Sequence, residues 1–218
     1  MTVLIIWYSF FGTNALLARE LGRRLSATLV PVKVRHFLPR TSVTVALDFF
    51  LKRLPRIEPV PADPRDFDHV IFVAPLYDMW VAQPMRAAVE QLRDKLGRYS
   101  FVSFCGYRRE GQAAHVRDEL AAIVGHPPEN VWELRVQDLV PPADRQKIHV
   151  VSRYRVKEAE LRQYEPQIDA IVRWVDAGAP KGDAKDMPKP VEWPSEQVWN
   201  YAKEFGQPDL VVLSTDWT

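Results

Sequence analysis

The sequence has a single cysteine and almost no net charge. One cysteine among 218 residues, Cys105, excludes an intramolecular disulfide and any zinc or iron–sulfur site built from several cysteines. A net charge of +1, with no basic run interleaved with aromatic residues, argues against a nucleic-acid partner. The scarcity of cysteine fits a reducing compartment, and we expect a cytoplasmic protein.

The usual signatures of metal and hydrolytic sites are also missing. The five histidines are scattered, and no pair has the spacing that places two metal ligands on one helix face. No Gly-x-Ser-x-Gly sequence is present, and Cys105 has no neighbouring base in the sequence. We therefore expect no metal site, and the sequence identifies no catalytic residue.

An uncharged stretch over residues 2–18 has the composition of a signal or anchor segment. It lacks a basic segment before the apolar residues, and Ser9, Gly12, Thr13 and Asn14 interrupt it. We interpret the stretch instead as part of a folded domain, because an apolar run over residues 3–7 followed by a polar turn is typical of a buried strand.

The same stretch has the order of a phosphate-binding loop. A buried strand leads into a turn with hydroxyl groups, an amide and a glycine, and the turn leads into a helix with one apolar face, formed by Leu17, Ala18, Leu21 and Leu25. Unpaired N–H groups and the positive dipole end at such a helix N-terminus attract anions. The alternative is an ordinary strand-to-helix connection capped by Thr13 or Asn14.

Strands and helices alternate along the rest of the chain. Strands are predicted over residues 3–7, 28–34, 70–74, 100–105 and 130–136, with amphipathic helices between them and a last helix over 158–175 that Pro166 kinks or breaks. This alternation predicts an α/β fold with a five-stranded parallel sheet covered on both faces. We assign residues 1–178 to one domain and 179–218 to a linker and a C-terminal helical docking extension.

Two stretches exceed this minimal pattern. Residues 36–64 hold an amphipathic helix with basic flanks. Two interpretations are open for it: contact with a membrane or a partner through residues 43–56, or a crossover helix between two strands, which is the interpretation we favour. The C-terminal extension carries Trp193, Trp199, Phe205 and an apolar run at 210–213. These residues predict docking on the domain itself or on a second copy in a homo-oligomer.

Three loops follow strands that end at the same edge of the predicted sheet, over residues 9–14, 75–83 and 106–112. The second loop contains large apolar and aromatic groups, including Tyr77 and Trp80, which a flat aromatic ligand would explain. The alternative is that they only cover the end of the sheet. Arg108 and Arg109 in the third loop offer cations to an anionic ligand, or form a solvated pair.

These motifs resemble the flavodoxin-like superfamily of FMN proteins. The resemblance rests on three stretches: residues 8–14, residues 68–75 followed by Gln83-Pro84-Met85-Arg86, and residues 104–112. The spacing from Pro75 to Gln83 and the Gly111-Gln112 pair are most similar to the multimeric NAD(P)H:quinone oxidoreductases of that superfamily. The resemblance covers roughly residues 1–136.

The resemblance implies a flavodoxin-like three-layer sandwich, FMN as cofactor, and NAD(P)H and a flat quinone-like acceptor as partners. It implies that the FMN phosphate is surrounded by Ser9, Phe10, Phe11, Gly12, Thr13 and Asn14. It assigns the flavin ring to the other two loops, through Pro75, Leu76, Tyr77, Asp78, Met79, Trp80, Gly106, Tyr107, Arg108, Gly111 and Gln112.

Two other functions remain open from the sequence. One is a flavodoxin-like module that binds FMN weakly or not at all and acts in protein or membrane-surface interaction. The other is a flavodoxin-type electron carrier, which the slightly basic composition disfavours because such carriers are commonly acidic. An FMN-dependent oxidoreductase is the function we expect.

Overall fold

A five-stranded parallel sheet forms the centre of the fold. The computed structural model describes residues 1–35, 54–107 and 109–178. The strands in this part are β1 (Val3–Trp7), β2 (Thr28–Pro31), β3 (His69–Val73), β4 (Leu76–Tyr77), β5 (Trp80–Val81), β6 (Tyr99–Cys105) and β7 (Val131–Arg135). The sheet has the order β2-β1-β3-β6-β7, whereas β4 and β5 form a separate antiparallel hairpin. The predicted five-stranded parallel sheet is confirmed.

Helices cover both faces of the sheet. They are α1 (Thr13–Leu25), α2 (Gln83–Leu92), α3 (Gln112–Val124), the short α4 (Ile148–Val151) and α5 (Glu165–Asp176). Apolar residues of α1 and α5 pack on one face, and those of α2 and α3 pack on the other. Short 3₁₀ segments lie at Pro64–Asp66, Arg93–Lys95, Val136–Leu139, Pro142–Asp144 and Glu158–Tyr164.

The side chains of β1 point alternately into two hydrophobic clusters, one on each face of the sheet. Val3 and Ile5 are buried against α1 and α5, whereas Leu4 and Ile6 are buried in the cluster on the other face. Successive side chains of a strand point to opposite faces, so a strand covered on both sides must be apolar throughout. The result is the predicted α/β/α sandwich.

The prolines explain two differences from the predicted elements. Strand β2 ends at Pro31 rather than at residue 34, and Val34 instead forms an isolated antiparallel bridge with Ile57. The helix predicted over residues 158–175 is instead the 3₁₀ segment Glu158–Tyr164 followed by α5, so the break expected at Pro166 is present, and Pro166 lies in the first turn of α5. A proline fits there because the first helical N–H groups have no intrahelical partner.

Some predictions concern residues outside the described ranges. The segment 36–53, which holds most of the proposed membrane- or partner-contacting stretch 43–56, lies there, as do Arg108 and the C-terminal extension 179–218. Among the described helices, none combines the length and the apolar character needed to cross a bilayer.

Candidate functional site

A cavity of about 500 Å³ opens where the parallel strands end. It is lined by residues from all three predicted loops: Ser9, Phe10, Phe11, Thr13, Asn14, Pro75, Leu76, Tyr77, Asp78, Met79, Gly106, Tyr107 and Gln112. Gly12, Trp80 and Gly111, which were also predicted for the site, are not in its lining, and Arg108 lies outside the described residues. The loops converge because parallel strands bring their carboxyl ends to one edge.

The first loop is shaped by its own polar side chains. Gly12 has a φ of +94°, a left-handed conformation that favours glycine, and it precedes α1 as the N-cap. The Ser9 hydroxyl accepts a hydrogen bond from the Gly12 N–H at 3.0 Å. No acidic residue lies in the first turn of α1, so the positive end of this 13-residue helix faces the cavity without a carboxylate beside it.

Asn14 has a partner that the sequence did not suggest. Its carboxamide Nδ2 donates to the Phe104 carbonyl at 3.2 Å, and its Oδ1 accepts from the Phe104 N–H at 2.9 Å. The side chain is buried and joins the start of α1 to β6. Asn14 therefore lines the predicted phosphate site, while its carboxamide holds the start of α1 against β6.

The β4–β5 hairpin forms a second wall. Its two-residue turn consists of Asp78 and Met79, with φ values of +47° and +73°, although neither is glycine. Positive φ at both central residues is what a two-residue hairpin turn of type I′ requires. The Asp78 carboxylate pairs with the Arg109 guanidinium at 2.5 Å, which connects the hairpin to the third loop.

Contacts with α2 and α3 support the hairpin from behind. The buried Glu119 of α3 accepts a hydrogen bond from the Val81 N–H at 3.0 Å and pairs with Arg86 of α2 at 2.8 Å. The Trp80 ring packs edge-on against His115 at 4.3 Å between ring centres. Trp80 therefore contacts α3 instead of lining the cavity. Burial raises the pKa of the Glu119 carboxyl group.

The third loop contributes the Tyr107 side chain, whose hydroxyl is buried, to the cavity wall. Gln112 donates to Glu133 at 2.6 Å, and Gly111, with a φ of +73°, caps α3. The Tyr107 hydroxyl oxygen is buried and finds no hydrogen-bond partner among the described residues. Burial also raises the pKa of Tyr107, so the group stays a neutral phenol. An unsatisfied phenol in a cavity wall favours a ligand with a polar atom nearby.

Cys105 contributes an inert surface to the cavity. The thiol is buried, and burial raises its pKa to about 12. A thiolate is the nucleophilic form of cysteine, and this thiol remains protonated at neutral pH. Cys105 is therefore a small buried group of the cavity wall with no nucleophilic role.

Sequence reasoning missed a fourth wall of the cavity. The missed lining residues are Phe104, Cys105, Val136, Ile148, Val151, Ser152, Arg153 and Tyr154, most of which follow β7, whereas Arg109 of the predicted third loop is also in the lining. A signal for them existed, because the predicted fifth strand must also end at this edge of the sheet. Residues 148–154 reach the cavity through long-range contacts, such as the one between Val151 and Gly106. Val151 lies so close to Gly106 that a Cβ atom added to this glycine would be 3.4 Å from the Val151 Cγ1.

No cluster of three or more potential metal ligands occurs within residues 1–35, 54–107 and 109–178. The cavity lining itself holds Asp78 as its single acid in that part of the chain, and Asp78 is paired with Arg109. The surroundings of the cavity are therefore suited to an anionic ligand.

The fold is similar to that of solved flavoproteins. A flavoprotein from Lactobacillus acidophilus NCFM in complex with FMN matches with a TM-score of 0.52 and 17% identity, over 61% of this chain and 92% of that chain. The apo-form of the flavoprotein from the same organism matches with a TM-score of 0.50 and 18% identity, over 61% and 91%. The expected flavodoxin-like fold is thereby confirmed.

A further match is the Trp repressor binding protein from Bacillus subtilis, with a TM-score of 0.45 and 8% identity, over 79% of this chain and 99% of that chain. At this TM-score the match supports no inference about the present chain. A scan against protein-family models and a search of curated proteins gave no match.

Proposed function

We propose that this chain binds FMN in the cavity at the carboxyl edge of the sheet and transfers electrons from NAD(P)H to a quinone-like acceptor. The observation that carries the proposal is the convergence of the three loops predicted for the cofactor on one cavity of about 500 Å³. This volume lies within the range of pockets that hold small molecules and cofactors.

The first loop fits the phosphate end of the flavin. The N-terminal turn of α1 offers backbone N–H groups and the positive end of the helix dipole. The Ser9 hydroxyl accepts from Gly12 and can still donate its own hydrogen to an anion. Phe10 and Phe11 contribute apolar surface where a hydroxyl side chain would offer a further donor, so we assign most of the phosphate binding to the backbone.

The second and third loops fit the flat end of the flavin. Tyr77, Met79 and Tyr107 give the cavity aromatic and polarisable surface, and the buried Tyr107 hydroxyl lacks a partner within the described residues. A ring system with polar edge atoms would pack against this surface and satisfy the phenol. The residues present therefore fit FMN.

The protein's own residues bind and orient in this proposal. FMN, when bound, supplies the hydride and electron chemistry. The paired Asp78 and Arg109 keep the hairpin against the third loop, and Glu119 keeps the hairpin against α2 and α3. The protonated Cys105 offers no competing nucleophile at the ring. The positive end of α1 would hold the negatively charged phosphate of bound FMN.

Tyr107→Phe tests the flavin site. The variant deletes a buried hydroxyl without a described partner, so the free energy of unfolding of the unloaded chain stays the same or rises. We expect FMN to bind several-fold more weakly, because a hydrogen bond contributes about 0.5 to 1.5 kcal/mol. Flavin fluorescence titration measures the Kd. Equal FMN affinity in the variant would remove Tyr107 from the site.

Tyr99→Phe is the matched control. The Tyr99 hydroxyl donates to the His126 carbonyl at 2.8 Å, and Tyr99 is absent from the cavity lining. This variant should lose stability and keep the FMN affinity of the wild type. A loss of FMN binding in both variants would indicate a general effect of aromatic replacement on the fold.

The oxidoreductase part of the proposal is tested by rapid mixing. FMN-loaded protein is mixed with excess NADPH or NADH, and the flavin absorbance is followed before a soluble benzoquinone is added. We expect reduction within seconds and reoxidation by the quinone. Flavin that stays oxidised for minutes, yet is reduced by dithionite, would contradict the oxidoreductase and favour the electron carrier. A chain that does not bind FMN at all would favour the interaction module.

A further inference from the structure

The segment over residues 145–157 is the most basic stretch that touches the cavity. It contains Arg145, Lys147, Arg153, Arg155 and Lys157, with His149 and no acidic residue. The whole chain has a net charge of only +1, so this excess is local. The segment lies beyond the part of the sequence that resembles the flavodoxin-like superfamily.

The segment is anchored at both ends. Arg145 donates to the carbonyls of Val140 at 2.9 Å and Asp138 at 3.2 Å, and Lys147 pairs with Asp144 at 2.8 Å. At the other end, the Lys157 N–H donates to Glu160 at 2.7 Å. Arg145 and Lys147 therefore help to build the segment, and both of its ends are bonded to residues nearby in the chain.

The middle of the segment forms the fourth wall of the cavity. Val151 is buried against the third loop, and the exposed Arg153 lies in the cavity lining with Ser152 and Tyr154. The exposed Arg155 has its guanidinium carbon 5.6 Å from the centre of the Phe11 ring, and Phe11 lines the cavity from the opposite loop. This cation–π contact holds a guanidinium at the mouth of the cavity.

The arrangement favours a phosphorylated ligand. Guanidinium groups bind phosphates with two parallel hydrogen bonds and remain charged at all working pH values. The single acid of the described cavity lining, Asp78, is already paired with Arg109. A second ligand that enters over the first thus meets two arginines at the rim and little negative charge.

We propose that Arg153 and Arg155 form a rim that binds the phosphates of a nicotinamide dinucleotide, with NADPH bound more tightly than NADH because of its additional phosphate. This inference rests on the proposed function, since the dinucleotide is the electron donor in it. The rim is the specificity-determining surface, because both arginines are exposed and Arg153 lines the cavity.

The test compares charge-removing variants in the FMN-loaded full chain. Arg153→Gln, Arg155→Gln and the double variant are titrated with the non-reducing ligands NADP⁺ and NAD⁺ by calorimetry at low and high salt. The double variant should bind NADP⁺ about tenfold more weakly at low salt, with a smaller change for NAD⁺. The difference should shrink at high salt, because exposed charges are screened. Arg155→Lys, which keeps the charge but loses the fork of donors, should recover part of the affinity.

Arg173→Gln is the matched control. Arg173 is exposed near the end of α5, whose Trp174 contacts His69 at the start of β3, at the opposite edge of the sheet. This variant loses the same charge and should keep the wild-type affinity for NADP⁺. Unfolding curves of all variants establish that the fold is intact. An equal loss in Arg173→Gln would overturn the rim, because only the net charge would then matter.

Two further results would overturn the inference. One is unchanged NADP⁺ affinity in the double variant. The other is weaker FMN binding with unchanged NADP⁺ binding, which would assign the rim to the flavin phosphate. If the wild-type chain does not bind FMN, the proposed function fails, yet adenosine 2′,5′-bisphosphate still probes the rim of the unloaded protein. Binding of this probe that is lost in the double variant supports the rim, and equal or absent binding in both contradicts it.

Discussion

Asn14 and Phe104 are 90 residues apart in the chain and exchange two hydrogen bonds, at 2.9 and 3.2 Å, beside the cavity. One carboxamide thus satisfies both backbone groups of a residue near the end of β6 and fixes the start of α1 against it. A side chain that the sequence offered as a phosphate ligand is in the structure a connection between two walls of the site.

Asn14→Ala is expected to destabilise the fold. The change leaves the buried Phe104 N–H without its acceptor, and an unsatisfied buried group costs about 1 to 3 kcal/mol. Urea unfolding measures the loss. Ser9→Ala is the control for the same loop: it should change the free energy of unfolding little and weaken FMN binding. Full stability of Asn14→Ala with a selective loss of FMN affinity would instead support the direct phosphate contact.

Met79→Gly is expected to maintain or raise stability and to weaken ligand binding. A left-handed conformation costs a residue with a Cβ about 1 to 2 kcal/mol, and glycine avoids this strain. Greater freedom of glycine in the unfolded chain offsets about 0.4 to 1 kcal/mol of that gain. Thermal unfolding with and without FMN separates the two effects.

Met79→Ala is the companion variant, because it removes the side chain from the cavity and keeps the positive φ. It should lose ligand affinity without gaining stability. A clear loss of stability in Met79→Gly would contradict the strain argument, since the flexible residue would then be worse than the strained one.

Glu119→Ala is expected to release the hairpin. The variant removes the acceptor of the Val81 N–H and the partner of Arg86, and both groups are largely buried. We expect a loss of about 2 to 4 kcal/mol, by the costs of a buried unsatisfied donor and of a separated buried ion pair. Glu119→Gln retains an acceptor for Val81 and should lose less. Hydrogen exchange at the Val81 amide reports the local opening directly.

The burial of His69 makes the free energy of unfolding depend on pH. Its ring is fully buried, with Nε2 2.8 Å from the Ser100 hydroxyl and Nδ1 3.6 Å from Glu129, and burial lowers its pKa to about 4. Below about pH 6.5 the unfolded chain takes up a proton that the folded chain does not accept until about pH 4. The free energy of unfolding therefore falls as the pH falls through this window, by about 3 kcal/mol in total.

Urea unfolding of the wild type and of His69→Gln at several pH values measures this effect. The variant should lose the contribution of His69 to the slope between pH 6.5 and 4.5. An unchanged slope in His69→Gln would assign the pH dependence to other groups.

Much of the fold could be predicted because its signals are local. The strands of the sheet are apolar at successive positions, as in β1 and β3, and burial on both faces leaves no other pattern. The site loops follow from the same reasoning, since parallel strands must end at one edge and the residues after them must meet there. Most of the residues predicted for the cofactor accordingly line one cavity.

Other features were decided by contacts between distant parts of the chain. The hydrogen-bond partner of Asn14 depends on where β6 ends, and the position of the Trp80 ring depends on its contact with His115 of α3. The hairpin turn at Asp78 and Met79 contains no glycine, so its positive φ values could not be predicted from the sequence. The fourth wall arises because Val151 packs near Gly106 and returns Arg153 to the cavity. The sequence by itself determined the sheet and the edge at which the site lies, because burial and alternation are properties of neighbouring residues. Only the tertiary structure decided which polar groups hold the walls together and which remain available to a ligand, because hydrogen bonds and ion pairs form between whichever groups packing brings within reach.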